Sequence, residues 1–247
     1  MSDADQSPPA DGTVEQPAAA HPANPAFDDP PYRTGVLELL GLLAAGEISA
    51  CERLAEDAKM APDLRTKVEI ATMATSEFNH FVLLRDRLVA LGEEPYGRME
   101  PFAATFDAFH RKTRPSDWLE GLVKAFVFDG LAADFYREIA AFLDADTREL
   151  VLEAMSGTGS SEFVIEAVRG AIVADHTVGG RLALWGRRLM GEALSQAQMV
   201  VAERDDLSAL LVGGIDSPGM DLAAIGRMFT RLTEAHAARM DRLGLAS

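Results

Sequence analysis

The sequence predicts an all-α protein, an antiparallel bundle of long helices, on three observations. Apolar residues recur at helical spacing over long segments, strand-like alternation is nowhere sustained, and only short turns separate neighbouring segments. No interdomain linker interrupts residues 33–247, so one bundle domain is expected there.

Each element follows from its own residues. Residues 1–32 hold seven of the twelve prolines within 1–31, six acids and no Lys or Arg, which predicts a disordered acidic tail. Residues 34–58 carry an apolar stripe at Leu40, Leu43, Ala44, Cys51, Leu54 and Ala58. The Met60–Asp63 turn ends that helix and starts the next. The second helix, 63–92, stripes Ile70, Met73, Ala74, Phe81, Leu84, Leu88 and Leu91, and Gly92 stops it. Residues 93–115 read as a Pro-containing connection with a helix over 99–111. A third long helix runs from a Ser116 N-cap to Leu143. A short helix at 147–155 is broken by the Ser156–Ser161 run, and helices at 162–174 and 177–205 follow. The Gly213–Gly219 loop precedes a last helix at 220–243, whose stripe either docks on the bundle or makes a homodimer interface.

The informative residues are the polar ones that interrupt these stripes. Glu47 falls on the stripe of the first helix, Glu77 and His80 on that of the second, and Asp129 on that of the third. A buried carboxylate costs several kcal/mol unless it is paired or coordinates a metal. Residues of an antiparallel hairpin that share a level are symmetric about its turn. Glu47 and Glu77 are centred on residue 62, inside the Met60–Asp63 turn, so their carboxylates should face each other. Glu52 is a rival to Glu47, but its symmetric position lies a turn away from Glu77. Glu77 and His80, three apart, project from one face. A Glu-x-x-His with a Glu from the partner helix is half of a dinuclear carboxylate–histidine site.

At these residues the chain resembles a known family. GEISACERLAEDA (46–58), SEFNHFVLLRDRL (76–88) and AFVFDGLAADFYREIA (125–140) look like the ferritin-like proteins related to tRNA 2-methylthio-isopentenyladenosine hydroxylase, especially their actinobacterial branch. The resemblance covers roughly residues 34–205. It implies a ferritin-like four-helix core with extra C-terminal helices, and a centre of two iron ions, manganese being the alternative, that activates dioxygen for hydroxylation. Carried over, the metal ligands are Glu47, Glu77 and His80, then Asp129 as the second carboxylate, then Glu162 from the fourth helix. The pattern departs at Ile165, which stands where a second His belongs, and the Ser156–Ser161 insert leaves Glu153 and Glu166 as alternatives to Glu162. A degenerate, metal-free bundle serving as a binding or assembly module is therefore the competing reading.

The remaining features bound the partners. The formal charge is −16, and about −10 remains after the six acids of the first 32 residues are removed, which argues against bulk nucleic-acid binding. A small molecule or a modified tRNA is a substrate only by family analogy. Arg181, Arg187 and Arg188 with Glu192, and Arg111, Lys112 and Arg114, read as interhelix ion pairs rather than an RNA face. Cys51 is the only cysteine and reads as a buried, inert thiol. No signal peptide or membrane-length apolar run is evident, so a cytoplasmic protein without a membrane contact is expected.

Overall fold

The computed structural model of the chain describes residues 25–155, 160–212 and 222–245, and among these there is no strand. The expected tail thus falls outside the described residues up to position 24, as do the Ser156 insert and the Gly213–Gly219 loop. Ordered structure begins earlier than the tail boundary predicts: a 3-10 turn spans Pro25–Asp28 and helix α1 starts at Pro30 (Pro30–Asp57). Proline suits a first helical turn, whose N–H groups have no intrahelical acceptor. Tyr32 then fixes this end. Its hydroxyl donates to Asp144 Oδ2 at 2.8 Å and accepts from the Asp144 amide at 2.7 Å.

Helix α2 (Leu64–Ala90) is capped by Asp63, which accepts from the Thr66 amide, and Gly92 in the left-handed region closes it. The connection at 93–115 is more helical than its prolines suggest. Helix α3 (Pro95–Lys112) begins on Pro95 with Glu94 accepting from the Tyr96 and Gly97 amides, and it carries Pro101 internally. Helix α4 (Trp118–Ala140) is capped by Asp117, not Ser116. The Asp117 carboxylate accepts from the Glu120 amide, while Glu120 reaches back to the Ser116 amide and hydroxyl. Helices α5 (Ala145–Ala154), α6 (Ser160–Ala174), α7 (His176–Glu203), α8 (Asp205–Val212) and α9 (Leu222–Arg242) complete the chain.

Helices α1 and α2 form the most extensive pair, α1 touches α4, and both α5 and α6 lie against α2 and α4. The four-helix core is therefore α1, α2, α4 and a fourth helix in two pieces, α5 and α6. Around it, α3 covers α1 and α7, α7 packs on α4 and α6, α8 on α1, and α9 on α4. The final stripe is thus used within the chain: Met228, Leu232, Met240 and Leu243 are buried. The expected interhelix pairing of the basic clusters also holds where partners are seen. Arg181 bonds Glu120 at 2.5 Å and Asp117 at 2.6 Å, and Lys112 lies 3.3 Å from Glu192. By length and composition α1 is apolar enough to cross a membrane, with a mean hydropathy of 1.4 over its best window. More than half of that window is buried, because α1 is contacted by α2, α3, α4 and α8.

The core is divided in two along the bundle axis. One apolar cluster joins Leu54 of α1, Ala58 just after it, Ile70–Ala74 of α2, Leu119–Leu131 of α4 and Val164 and Val168 of α6. The other joins Val36–Ala45, Phe81–Leu88, Ile139–Leu143 and Val151 and Ala154 of α5. On every core helix the changeover falls at one level. That level holds Glu47, Glu77 and His80, Asp129 lies at its edge on α4, and the fourth helix is interrupted there.

Candidate metal centre

Helical geometry alone puts the first three residues together. Glu47 sits where α1 passes from one apolar cluster to the other, and the Met60–Asp63 turn brings Glu77 opposite it. Their carboxylate oxygens and a ring nitrogen of His80 lie within 4.8 Å of one another. His80 Nδ1 is 3.4 Å from Glu47 Oε2 and 3.9 Å from Glu77 Oε2. Both glutamates are buried and His80 is half-buried. These separations are long for hydrogen bonds. They suit ligands of one ion, which stand about 3–4 Å apart when each is roughly 2.0–2.2 Å from the metal.

The electrostatics point the same way. Burial lifts the Glu77 carboxyl to about 9, reinforced by its hydrogen bond to Glu47 and the charge there. Burial lifts Glu47 to about 7, against the lowering effect of its hydrogen bond with Glu77. Without a cation the pair holds together by sharing a proton. Even so, Glu47 Oε2 is buried without a hydrogen-bond partner, a condition that normally costs about 1–3 kcal/mol or more. The donor set of two carboxylates and an imidazole, with one oxygen orphaned, fits a divalent ion such as iron or manganese.

Asp129 belongs to the same layer but stands outside the three-residue group. It is exposed, and together with Glu47, Glu77 and His80 it lines a cavity of about 430 Å³. Surrounding protein raises its carboxyl well above the usual range, and the charge of Glu77 adds to this. Tyr136 also lines the cavity, and burial and Glu47 hold its phenol protonated beyond the ordinary range.

Glu162 is not brought to the site, which corrects the five-ligand expectation. Its side chain is 77% exposed and lies 3.5 Å from Arg242. Glu166 and Glu153 are exposed too. Helix α6 restarts with Val164 and Val168 facing the core, and that phase turns Glu162 and Glu166 outward. Ile165 packs against the apolar cluster where an imidazole would otherwise stand. The rival Glu52 is 67% exposed beside Arg53. Cys51 is half-buried against the core, and burial raises its thiol, consistent with an inert residue.

Sequence reasoning missed the arginine wall of the cavity. Asp134, Arg137, Arg239 and Arg242 line it, the last two contributed by α9. It also missed a second interior polar group: Lys124 donates to the Thr113 carbonyl at 3.0 Å and lies 2.9 Å from His110 Nδ1. Burial brings Lys124 down to about 8 and His110 to about 3, and raises Asp57, which faces Lys124, to about 6. A lysine inside the apolar run Leu119–Phe128 was the available signal.

A four-helix core with a carboxylate–histidine group at mid-height defines a ferritin-like bundle with a candidate metal site. The sequence model of the ferritin-like domain of actinomycetes matches residues 30–214. The chain belongs to that family. No curated protein matches it.

Proposed function

We propose that the chain is a metalloprotein that binds one ion, iron or manganese, on Glu47, Glu77 and His80, and that it acts as a hydroxylase-type oxidoreductase on a small molecule in the adjoining cavity. The observation that carries this reading is the convergence of three ligand atoms around an orphaned, buried acceptor at the wall of that cavity. A bound ion of this kind would supply one-electron chemistry toward dioxygen. The protein's part is to hold the ligands between two apolar clusters, to present Asp129 as a carboxyl of raised proton affinity, and to line the cavity with apolar surface around the reacting group. Only half of a dinuclear ligand set converges, so a single ion is favoured over two. A small substrate is favoured over tRNA by the acidic body and the pairing of the α7 arginines.

The test is metal analysis of protein purified from iron- and manganese-supplemented medium, with His80→Ala alongside. The expected result is ~1 ion per chain in the wild type and a lower melting temperature on its removal, because bound metal contributes folding energy. Fewer than ~0.1 ions per chain, with His80→Ala no less stable, would refute it. That outcome selects a metal-free bundle, a reading favoured by one observation: Glu47 and Glu77 can share a proton.

A further inference from the structure

Helix α2 carries two apolar stripes. One holds Ile70, Met73, Ala74, Phe81, Leu84 and Leu88 in the core. The other runs through Leu64, Val68, Ala71, Thr75, Phe78, Val82, Arg85 and Val89, in alternating steps of four and three. That is the spacing of a seam between two packed helices. The described structure leaves this seam open. Leu64 is 75% exposed, Val68 55%, Phe78 44% and Val89 57%, while Ala71 and Thr75 are exposed and Val82 and Arg85 half-buried.

Its two polar members are already satisfied. The Thr75 hydroxyl donates to the Ala71 carbonyl at 3.0 Å, so Thr75 can enter an apolar seam without an unpaired donor. Arg85 donates to Asp86 Oδ1 from Nε at 2.8 Å and from Nη2 at 2.6 Å, and its guanidinium lies 5.9 Å from the Phe81 ring centroid.

The seam is also complementary to itself. With a second α2 laid antiparallel about a two-fold axis between Ser76 and Glu77, Leu64 faces Val89 of the second copy, Ala71 faces Val82, Thr75 faces Phe78, and Val68 faces Arg85. The same register sets Arg65 against Asp86 of the second copy and Thr72 against Asn79 along the flank, each contact made twice by symmetry. All four flanking residues are exposed, and no like charges meet. The acidic body opposes self-association over most of its surface. Helix α2 is different: it holds Arg65, Lys67, Arg85 and Arg87 against Glu69, Asp86 and the buried Glu77.

We infer that a second copy of this chain docks on the outer stripe of α2, antiparallel and in this register, to form a two-fold dimer. The metal reading is not needed for it.

The test is sedimentation velocity of the full-length protein from about 1 to 100 µM, where a dimer of micromolar or tighter affinity is expected. Val68→Glu and Phe78→Glu place charges in the seam and should each weaken the dimer about tenfold or more, with helical circular dichroism unchanged. Val173→Glu, at a position 78% exposed on α6, should leave it intact. Arg65→Glu should weaken the dimer roughly threefold or more by setting like charges together, and adding Asp86→Lys should restore it. That swap reads out the register and serves if a seam variant fails to fold. A monomer at the highest concentration, including one that binds lipid vesicles or another protein instead, would overturn the inference. So would seam variants that dimerise like wild type, loss of the dimer in Val173→Glu, or a charge swap that restores nothing.

Discussion

The sharpest test of the polar layer is the pH dependence of metal-free stability in Glu77→Gln. Glu77 is buried, and its carboxyl stands at about 9 in the folded chain against an ordinary value of 4.5. A raised carboxyl means that the folded state holds a proton that the unfolded state releases. The stabilisation is complete below about pH 4.5 and is lost as pH climbs toward 9. Between pH 6 and 8 the two states differ by about one proton at this residue, so stability falls by about 1.4 kcal/mol per pH unit. Two units amount to about 3 kcal/mol, or roughly 6–12 °C in melting temperature for a domain of this size. Glutamine keeps the shape and cannot ionise. The wild-type melting temperature in EDTA should therefore fall from pH 6 to pH 8 by that much more than the variant's. The difference matters because other groups also titrate. Glu47, at about 7, adds to the fall, whereas Lys124, lowered to about 8, stabilises increasingly above that pH. Melting curves followed by circular dichroism at pH 6, 7 and 8 suffice. Parallel curves for the two proteins would show that Glu77 ionises freely, and that the two carboxylates do not meet in the folded chain.

Three further outcomes follow. Titrating Mn²⁺ into metal-free protein at pH 7 should release about one to two protons per ion, most of Glu77's and part of Glu47's, read by calorimetry in buffers of different ionisation enthalpy. Affinity should strengthen as pH rises, and a proton count near zero would contradict the raised carboxyls. Gly41→Ala should destabilise by about 1–3 kcal/mol in urea unfolding, because the new Cβ would overlap the Arg98 carbonyl, 2.9 Å from its carbon, where α1 meets α3. Lys124→Met should cost about 3 kcal/mol near pH 8, where it strands the buried Asp57 carboxylate, and less toward pH 5, where Asp57 protonates. Asp57→Asn in the same chain should recover much of the loss.

Much of the architecture is legible in the sequence because its helices are long and periodic. The apolar stripes predict α1, α2 and α4 closely, and the symmetry of Glu47 and Glu77 about residue 62 predicts a contact between two helices without any coordinates. The α3 start at Pro95 was obscured because its prolines look like breakers, although a proline at a helix start costs little once Glu94 caps the turn. Glu162 fails for a different reason. Its facing depends on the phase in which α6 restarts after a break, and a break erases the periodicity that would carry register from α5 to α6. The arginine wall was invisible in principle, since Arg239 and Arg242 meet Asp134 and Phe126 across more than a hundred residues of chain.

The acids of the central layer divide according to whether a guanidinium reaches them, and the division explains why the site survives a broken fourth helix. Glu47, Glu77, Asp129 and Asp134 crowd one cavity and cannot all stay ionised unaided. Helix α9 resolves Asp134 by inserting Arg239 over Gly130, and Arg137 from the same helix as Asp134 completes the pair. Among the described residues no arginine bonds the other three, whose carboxyls burial pushes toward the protonated form. Had the layer been merely structural, pairing every acid with an arginine would have been the simpler solution, and α9 already supplies Arg242 at the cavity edge. Leaving Glu47, Glu77 and Asp129 unpaired preserves acceptors that only a proton or a metal ion can fill. Glu47 and Glu77, with carboxyls raised to about 7 and about 9, can exchange a proton for a cation near neutral pH.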